Sequence, residues 1–188
     1  PLTKKLKKLN EFNFDILILA NHGLVIGGET KSKVIETLLY VEKKLSKSTR
    51  SNFSKPDKKK LNHLIRSLNY KLPKYDLCHS LAMDEISLNL LIKKPLYPDH
   101  IIFLGPGGIP VMTEAQFVNK LTHSSNQLSN KVIVIKGIGI IIRKDLSENG
   151  EEMLHCLTNV LLKIQDTRDL NHLTEKDEME LKNYVESN

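Results

Sequence analysis

The chain has 188 residues, 40% hydrophobic and 27% charged, with a formal net charge of +6. That is an ordinary balance for a globular protein and enough chain for one substantial domain, or one domain plus part of another. No apolar run reaches the roughly 18 residues that span a bilayer, because the longest, "VIVIKGIGIII" at 132–142, is interrupted by Lys136 and two glycines.

The chain opens on Pro1 with no signal-peptide pattern and reads as a processed product, a trimmed chain or the tail of a longer polypeptide. Leu2, Leu6 and Leu9 recur at helical spacing between lysines and predict a short amphipathic helix over 2–11. "FDILILA" (14–20) then predicts a strand, Asn21-His22-Gly23 a tight turn, and "LVIGG" a second strand. Thr30 is placed to cap a helix over about 31–46, with Val34, Leu38, Val41 and Leu45 on one face. Residues 43–60, "KKLSKSTRSNFSKPDKKK", carry eight basic residues and one aromatic, Phe53. A nucleic-acid surface pairs its basic stripe with stacking aromatics or a recognisable motif. Neither is present, so the block reads as solvated linker, with a domain boundary at 47–56 and nucleic acid disfavoured as a partner.

A second α/β segment is predicted over 57–188. It opens with a helix at about 57–69 and another capped by Asp84 and stopped by Pro95. "HIIFLG" (100–105) reads as a strand, "PGG" as a turn and "IPVM" as another strand. Thr113 caps a helix over about 114–127, and "KVIVIKG" pairs with "IGIIIRK" around Gly137. Ser147 precedes a long helix over 148–167 whose buried side is assigned to Met153, Leu157, Val160, Leu161 and Ile164. Thr174 opens a final acidic helix. Alternating strands and helices imply a layered α/β core. Cys78 and Cys156 share no CxxC spacing and read as reduced, buried thiols of a cytoplasmic protein. The Cys78-His79 pair lacks a visible orienting partner and reads as a buried Cys beside a surface His.

Two stretches carry candidate chemistry. The first is "ILANHGLVIGGETKSKVIETLLYVEKKL" (16–45), in which His22 stands at the end of a strand, beside a glycine that permits close approach. It resembles the class II aldolase/adducin family, in which a strand ending in NHG is followed by a glycine-ended strand and a helix. The resemblance implies an αβα sandwich of the class II aldolase type, partial here over 1–46, with an appended C-terminal α/β region over 57–188. It also implies that His22 is one of three imidazoles on a catalytic divalent metal, usually zinc, with Asn21 and Gly23 beside the substrate. Such a metal stabilises the enediolate left by cleavage of a carbon–carbon bond next to a hydroxyl. The expected activity is that of a metal-dependent aldehyde-lyase acting on a hydroxylated or sugar-phosphate-like small molecule, or of a related epimerase of pentose phosphates. The expected assembly is a homo-oligomer, tetrameric in the family. The family's HxH pair and base glutamate precede the NHG motif. This sequence holds no HxH, so both are expected N-terminal to Pro1. The alternative is a non-catalytic assembly protein of the adducin kind.

The second stretch is "LYPDHIIFLGPGGIPV" (96–111). Asp99 and His100 are candidate substrate-binding residues there. Gly105, Gly107 and Gly108 are candidates for an anion-binding nest, weighed against a plain turn between two strands. This stretch and "VIKGIGIIIRKDLSENGEEML" resemble the segment that follows the aldolase domain in bacterial aldolase-like proteins, including fusions to short-chain dehydrogenases.

Overall fold

The computed structural model describes residues 15–123 and 128–186. The predicted helix over 2–11 lies outside them, as does the end of the helix expected to reach 127. The chain divides into two units, Pro1–Lys47 and Ser48–Asn188, both of mixed α/β character.

In the first unit, β1 (Ile16–Leu19) and β2 (Gly23–Ile26) form an antiparallel hairpin in the register Ile16↔Ile26 to Leu19↔Gly23. The turn closes through the His22 N–H, which donates to the Leu19 carbonyl at 3.1 Å. Asn21 sits at φ 59° and Gly23 at φ 110°, so the two residues flanking His22 take backbone conformations that asparagine and glycine tolerate best. Helix α1 (Lys31–Leu45) follows, and the Thr30 hydroxyl accepts from the Lys33 N–H at 3.2 Å, the cap the sequence predicts. The buried side of α1 differs from expectation. Thr37 and Val41 are buried, whereas Leu38 and Leu45 are 48% and 59% exposed. Ile18, Leu24 and Val25 on the hairpin, and Ile35, Leu39 and Tyr40 on the helix, are also exposed.

The second unit is built on a sheet of order β3-β6-β5-β4. Its strands are β3 (Tyr70–Lys71), β4 (Val111–Met112), β5 (Val132–Ile135) and β6 (Gly139–Arg143). β5 and β6 form the predicted hairpin, with Gly137 at φ 74° in its turn, while β4 runs parallel to β5. Both strands are continuous apolar runs because helices cover both faces of the sheet. On one face Val132, Val134, Ile140 and Ile142 pack with residues of a 3₁₀ helix (Asp76–Ala82), α3 (Glu85–Leu91), α4 (Pro98–Leu104) and α6 (Glu148–Lys163). On the other, Ile133, Ile135 and Ile141 pack with Leu61 and Ile65 of α2 (Lys58–Ile65) and Phe117 of α5 (Glu114–His123). The final helix, α7 (Glu175–Glu186), follows a loop.

Side-chain caps explain where these helices begin. Asp57, Asp84 and Ser147 each accept from the N–H three residues on. Thr113 with Gln116, and Thr174 with Asp177, form reciprocal capping boxes. The expected strand at 100–105 is instead the end of α4. Pro98 occupies the first turn, where its fixed φ and missing N–H are harmless, and His100, Ile101 and Leu104 fall on one helical face. The buried stripe of α6 is Leu154, Leu157, Thr158, Leu161 and Leu162; Met153, Val160 and Ile164 lie at its margin.

One cation of the basic block is structural. Arg50 donates through Nε to Asp84 Oδ1 at 3.2 Å and through Nη2 to Ser87 Oγ at 3.3 Å and the Leu161 carbonyl at 3.0 Å. It also reaches Asp84 Oδ2 and the Ile164 carbonyl. Burial pushes the Asp84 carboxyl upward, but the hydrogen bonds from Arg50 and Ser87 outweigh it and hold the group below the usual carboxylate range. The segment after Lys47 is thus pinned to the second unit, where the Arg50 N–H also donates to the Leu162 carbonyl at 2.9 Å. Removing one member of a buried pair strands the other charge. Arg50→Ala is expected to lower unfolding free energy by about 3 kcal/mol in urea titration, with Arg50→Lys recovering only part because it cannot reproduce the two-pronged contact.

Candidate functional site

Asn21, His22 and Gly23 lie together at the tip of the β1–β2 hairpin. The His22 ring is exposed, and its Nδ1 stands 3.0 Å from the Ala20 carbonyl oxygen. A carbonyl only accepts, so Nδ1 carries a proton and Nε2 is the ring nitrogen this contact leaves over. Among the described residues, no group of three or more His, Cys, Asp or Glu side chains is arranged to hold a metal ion. The described residues do not complete a coordination sphere around His22.

Asp99 and His100 belong to the second unit, on α4, and do not converge on a common point. Asp99 is exposed in the first helical turn, where a carboxylate complements the helix dipole. His100 is 4% exposed, set edge-on to Tyr97 with ring centroids 6.4 Å apart, and its Nε2 has no hydrogen-bond partner among the described residues. Burial alone pushes its pKa down to about 4. The Tyr97 hydroxyl is also buried without a partner among the described residues, and burial raises its pKa.

Cys78 and His79 are both buried in the 3₁₀ helix. Burial pushes the Cys78 thiol up to about 11, which makes it a poor nucleophile. His79 Nδ1 accepts the Ile140 N–H at 3.0 Å, so the ring's proton sits on Nε2, which has no partner among the described residues. Burial lowers its pKa to about 4, against a smaller upward pull from Asp76. Gly139, at φ 152°, makes room for this ring; a Cβ there would lie 2.8 Å from His79 Nδ1 and 2.7 Å from Leu61 Cδ1. The ring thus joins the 3₁₀ helix to the sheet. The sequence predicts His79 at the surface and both thiols inside; the ring is instead buried because it serves the Ile140 N–H, and Cys156 is exposed on the solvent side of α6.

The glycine stretch at 105–108 does line a depression. A crevice of about 290 Å³ lies between Gly105–Pro110 and the strand ends at Ser129–Val132 and Arg143. Gly105 and Gly107 take positive φ values of 105° and 73°. Gly108 is required for contact, because a Cβ there would lie 2.5 Å from the Ile92 carbonyl oxygen. Lys131 and Arg143, which spacing alone does not bring near the glycines, supply positive charge on the opposite wall. The one available signal was their place at the ends of β5 and β6.

Scans against family models, curated proteins and solved structures found no match to this chain. No helix among the described residues is long and apolar enough to cross a membrane.

The buried histidines make stability depend on pH. Both rings are neutral in the fold with pKa near 4, whereas an unfolded histidine titrates near 6.5. Between those values the unfolded chain binds more protons. Stability from this source is complete above about pH 6.5 and declines as pH falls toward 4, by on the order of 3 kcal/mol per ring. Urea unfolding across that range is expected to show the slope, flattened in His100→Leu. Thiol titration of the folded chain at pH 8 is expected to label exposed Cys156 quickly and buried Cys78 only on unfolding.

Proposed function

We propose that this chain is the C-terminal portion of a long-form class II aldolase/adducin-type protein, a metal-dependent aldehyde-lyase in which His22 is one ligand of a divalent cation, zinc by preference. The observation that carries the reading is the hydrogen bond from His22 Nδ1–H to the Ala20 carbonyl, which fixes the tautomer and aims Nε2 away from the turn. Metal-bound histidines commonly use their second nitrogen in this way, which orients the ring and raises its basicity. The reading takes two further imidazoles and a carboxylate from residues N-terminal to Pro1.

A second observation favours the same reading. A two-stranded hairpin is marginal by itself, and this one exposes Ile18, Leu24 and Val25 while α1 exposes Ile35, Leu38 and Leu39. Apolar residues on both faces of a hairpin belong to the interior of a larger sheet. In an αβα sandwich, further strands and a helix layer would cover them.

Within this reading the metal would polarise the oxygens of a hydroxylated substrate and stabilise the enediolate formed on retro-aldol cleavage. The chain's own contribution is positional. Asn21 and Gly23 take backbone conformations that hold the turn, and the Ala20 carbonyl engages Nδ1, which leaves Nε2 as the nitrogen that would bind. The substrate is a small molecule, and the exposed apolar faces are also suited to homo-oligomer contacts.

Metal analysis of the full-length protein tests the proposal. Stoichiometric zinc or manganese is expected, lost in His22→Ala while the unfolding midpoint of the Ser48–Asn188 unit stays unchanged. A folded wild-type protein that retains no metal would overturn the enzyme and leave the adducin-like assembly role.

A further inference from the structure

The crevice at the Gly105–Pro110 loop has a chemistry of its own, independent of His22. Its charged lining residues are two cations, Lys131 and Arg143, with no carboxylate among the lining side chains. Lys131 is held by one hydrogen bond from Nζ to the Phe103 carbonyl at 2.8 Å, which steadies the ammonium and leaves two of its protons for another acceptor. Arg143 is oriented by Nη1 donating to the Ser129 carbonyl at 3.1 Å and Nε to Asp145 Oδ1 at 2.8 Å. Its Nη2 also reaches Asp145, yet each terminal nitrogen keeps a second proton. The facing loop is glycine-rich and adds no side-chain bulk; the Cβ positions of Gly105 and Gly107 meet nothing within 4 Å. The Gly107 N–H is already taken, donating to a carboxylate oxygen of Glu178 at 2.9 Å, so the attraction for an anion comes from the two cations. Leu104, Ile109 and Val132 supply hydrocarbon beside these polar groups.

We propose that this crevice binds a small phosphomonoester, with the phosphoryl group between Lys131 and Arg143 and the organic part against the loop. A tetrahedral dianion has enough acceptor oxygens to engage both cations at once, whereas a chloride-sized ion does not. The volume of about 290 Å³ is near the lower end for ligand pockets and sets the ligand's size. Asp145 is the resident competitor: it pairs with Arg143, and both Arg143 and Lys131 lower its pKa. Ligand phosphate therefore shares Arg143 with Asp145.

Isothermal titration of the chain with glycerol 3-phosphate and with inorganic phosphate, at low ionic strength, tests this. Saturable 1:1 binding of the monoester is expected. Lys131→Gln is expected to weaken it about tenfold, the loss of one charge-assisted hydrogen bond, with an unchanged unfolding midpoint. Asp145→Asn is expected to tighten it, a gain that misfolding cannot produce. The proposal is overturned by no saturable binding at millimolar monoester, by binding of inorganic phosphate alone, by an unaltered Lys131→Gln, or by an Asp145→Asn chain that binds no more tightly. None of these readouts involves metal, so they are distinguishable from failure of the aldolase reading.

Discussion

The side chains of Val132, Ile133, Val134 and Ile135 on β5, and of Ile140, Ile141 and Ile142 on β6, are each 2% exposed or less, and the second unit is arranged around that fact. A hairpin with hydrocarbon on both faces is stable only between two layers, each of which removes water from alternate residues. One layer is supplied by α2 and α5, the other by the 3₁₀ helix, α3, α4 and α6. Burying each such side chain is worth about 1.5–3 kcal/mol. The hairpin therefore commits the surrounding helices to their places, and the loops between them inherit theirs.

Polar groups were drawn into this core where a backbone group or a charge required a partner. His79 satisfies the Ile140 N–H at the cost of its own Nε2, and Gly139 is the space that the imidazole occupies. Asp84 caps α3 and would be a stranded charge without Arg50. Such arrangements consume titratable residues for architecture. Cys78, His79 and His100 look chemical in the sequence and are withdrawn from solvent in the fold.

The groups that remain accessible lie at turns and strand ends. His22 is displayed by a hairpin whose two flanking residues accept left-handed backbone, and its tautomer is set by a carbonyl two residues away. Lys131 and Arg143 stand at the ends of adjacent strands, where the Arg143 N–H donates to the Lys131 carbonyl at 2.9 Å and the ladder fixes their spacing. Both cases follow one rule: rigid elements orient a few polar groups that the core does not need.

Local features were readable from residue order alone because their causes are local. The hydroxyls of Thr30, Thr113, Ser147 and Thr174 start helices by reaching an amide three residues on, and Gly137 turns a hairpin, whatever lies elsewhere. "HIIFL" was ambiguous because five apolar or aromatic residues fit a strand as well as a helix turn; Pro98 and the layer against which Ile101 and Leu104 pack decided it. Arg50 was indistinguishable from the other cations of its basic block, since its value depends on Asp84, 34 positions away. The sequence by itself determined the caps, the turns, the hairpin around Gly137 and the candidacy of His22. Tertiary structure alone decided which histidines are withdrawn from water, which arginine is structural, and that two distant cations face a glycine loop, because those properties belong to pairs of residues that only folding brings within reach.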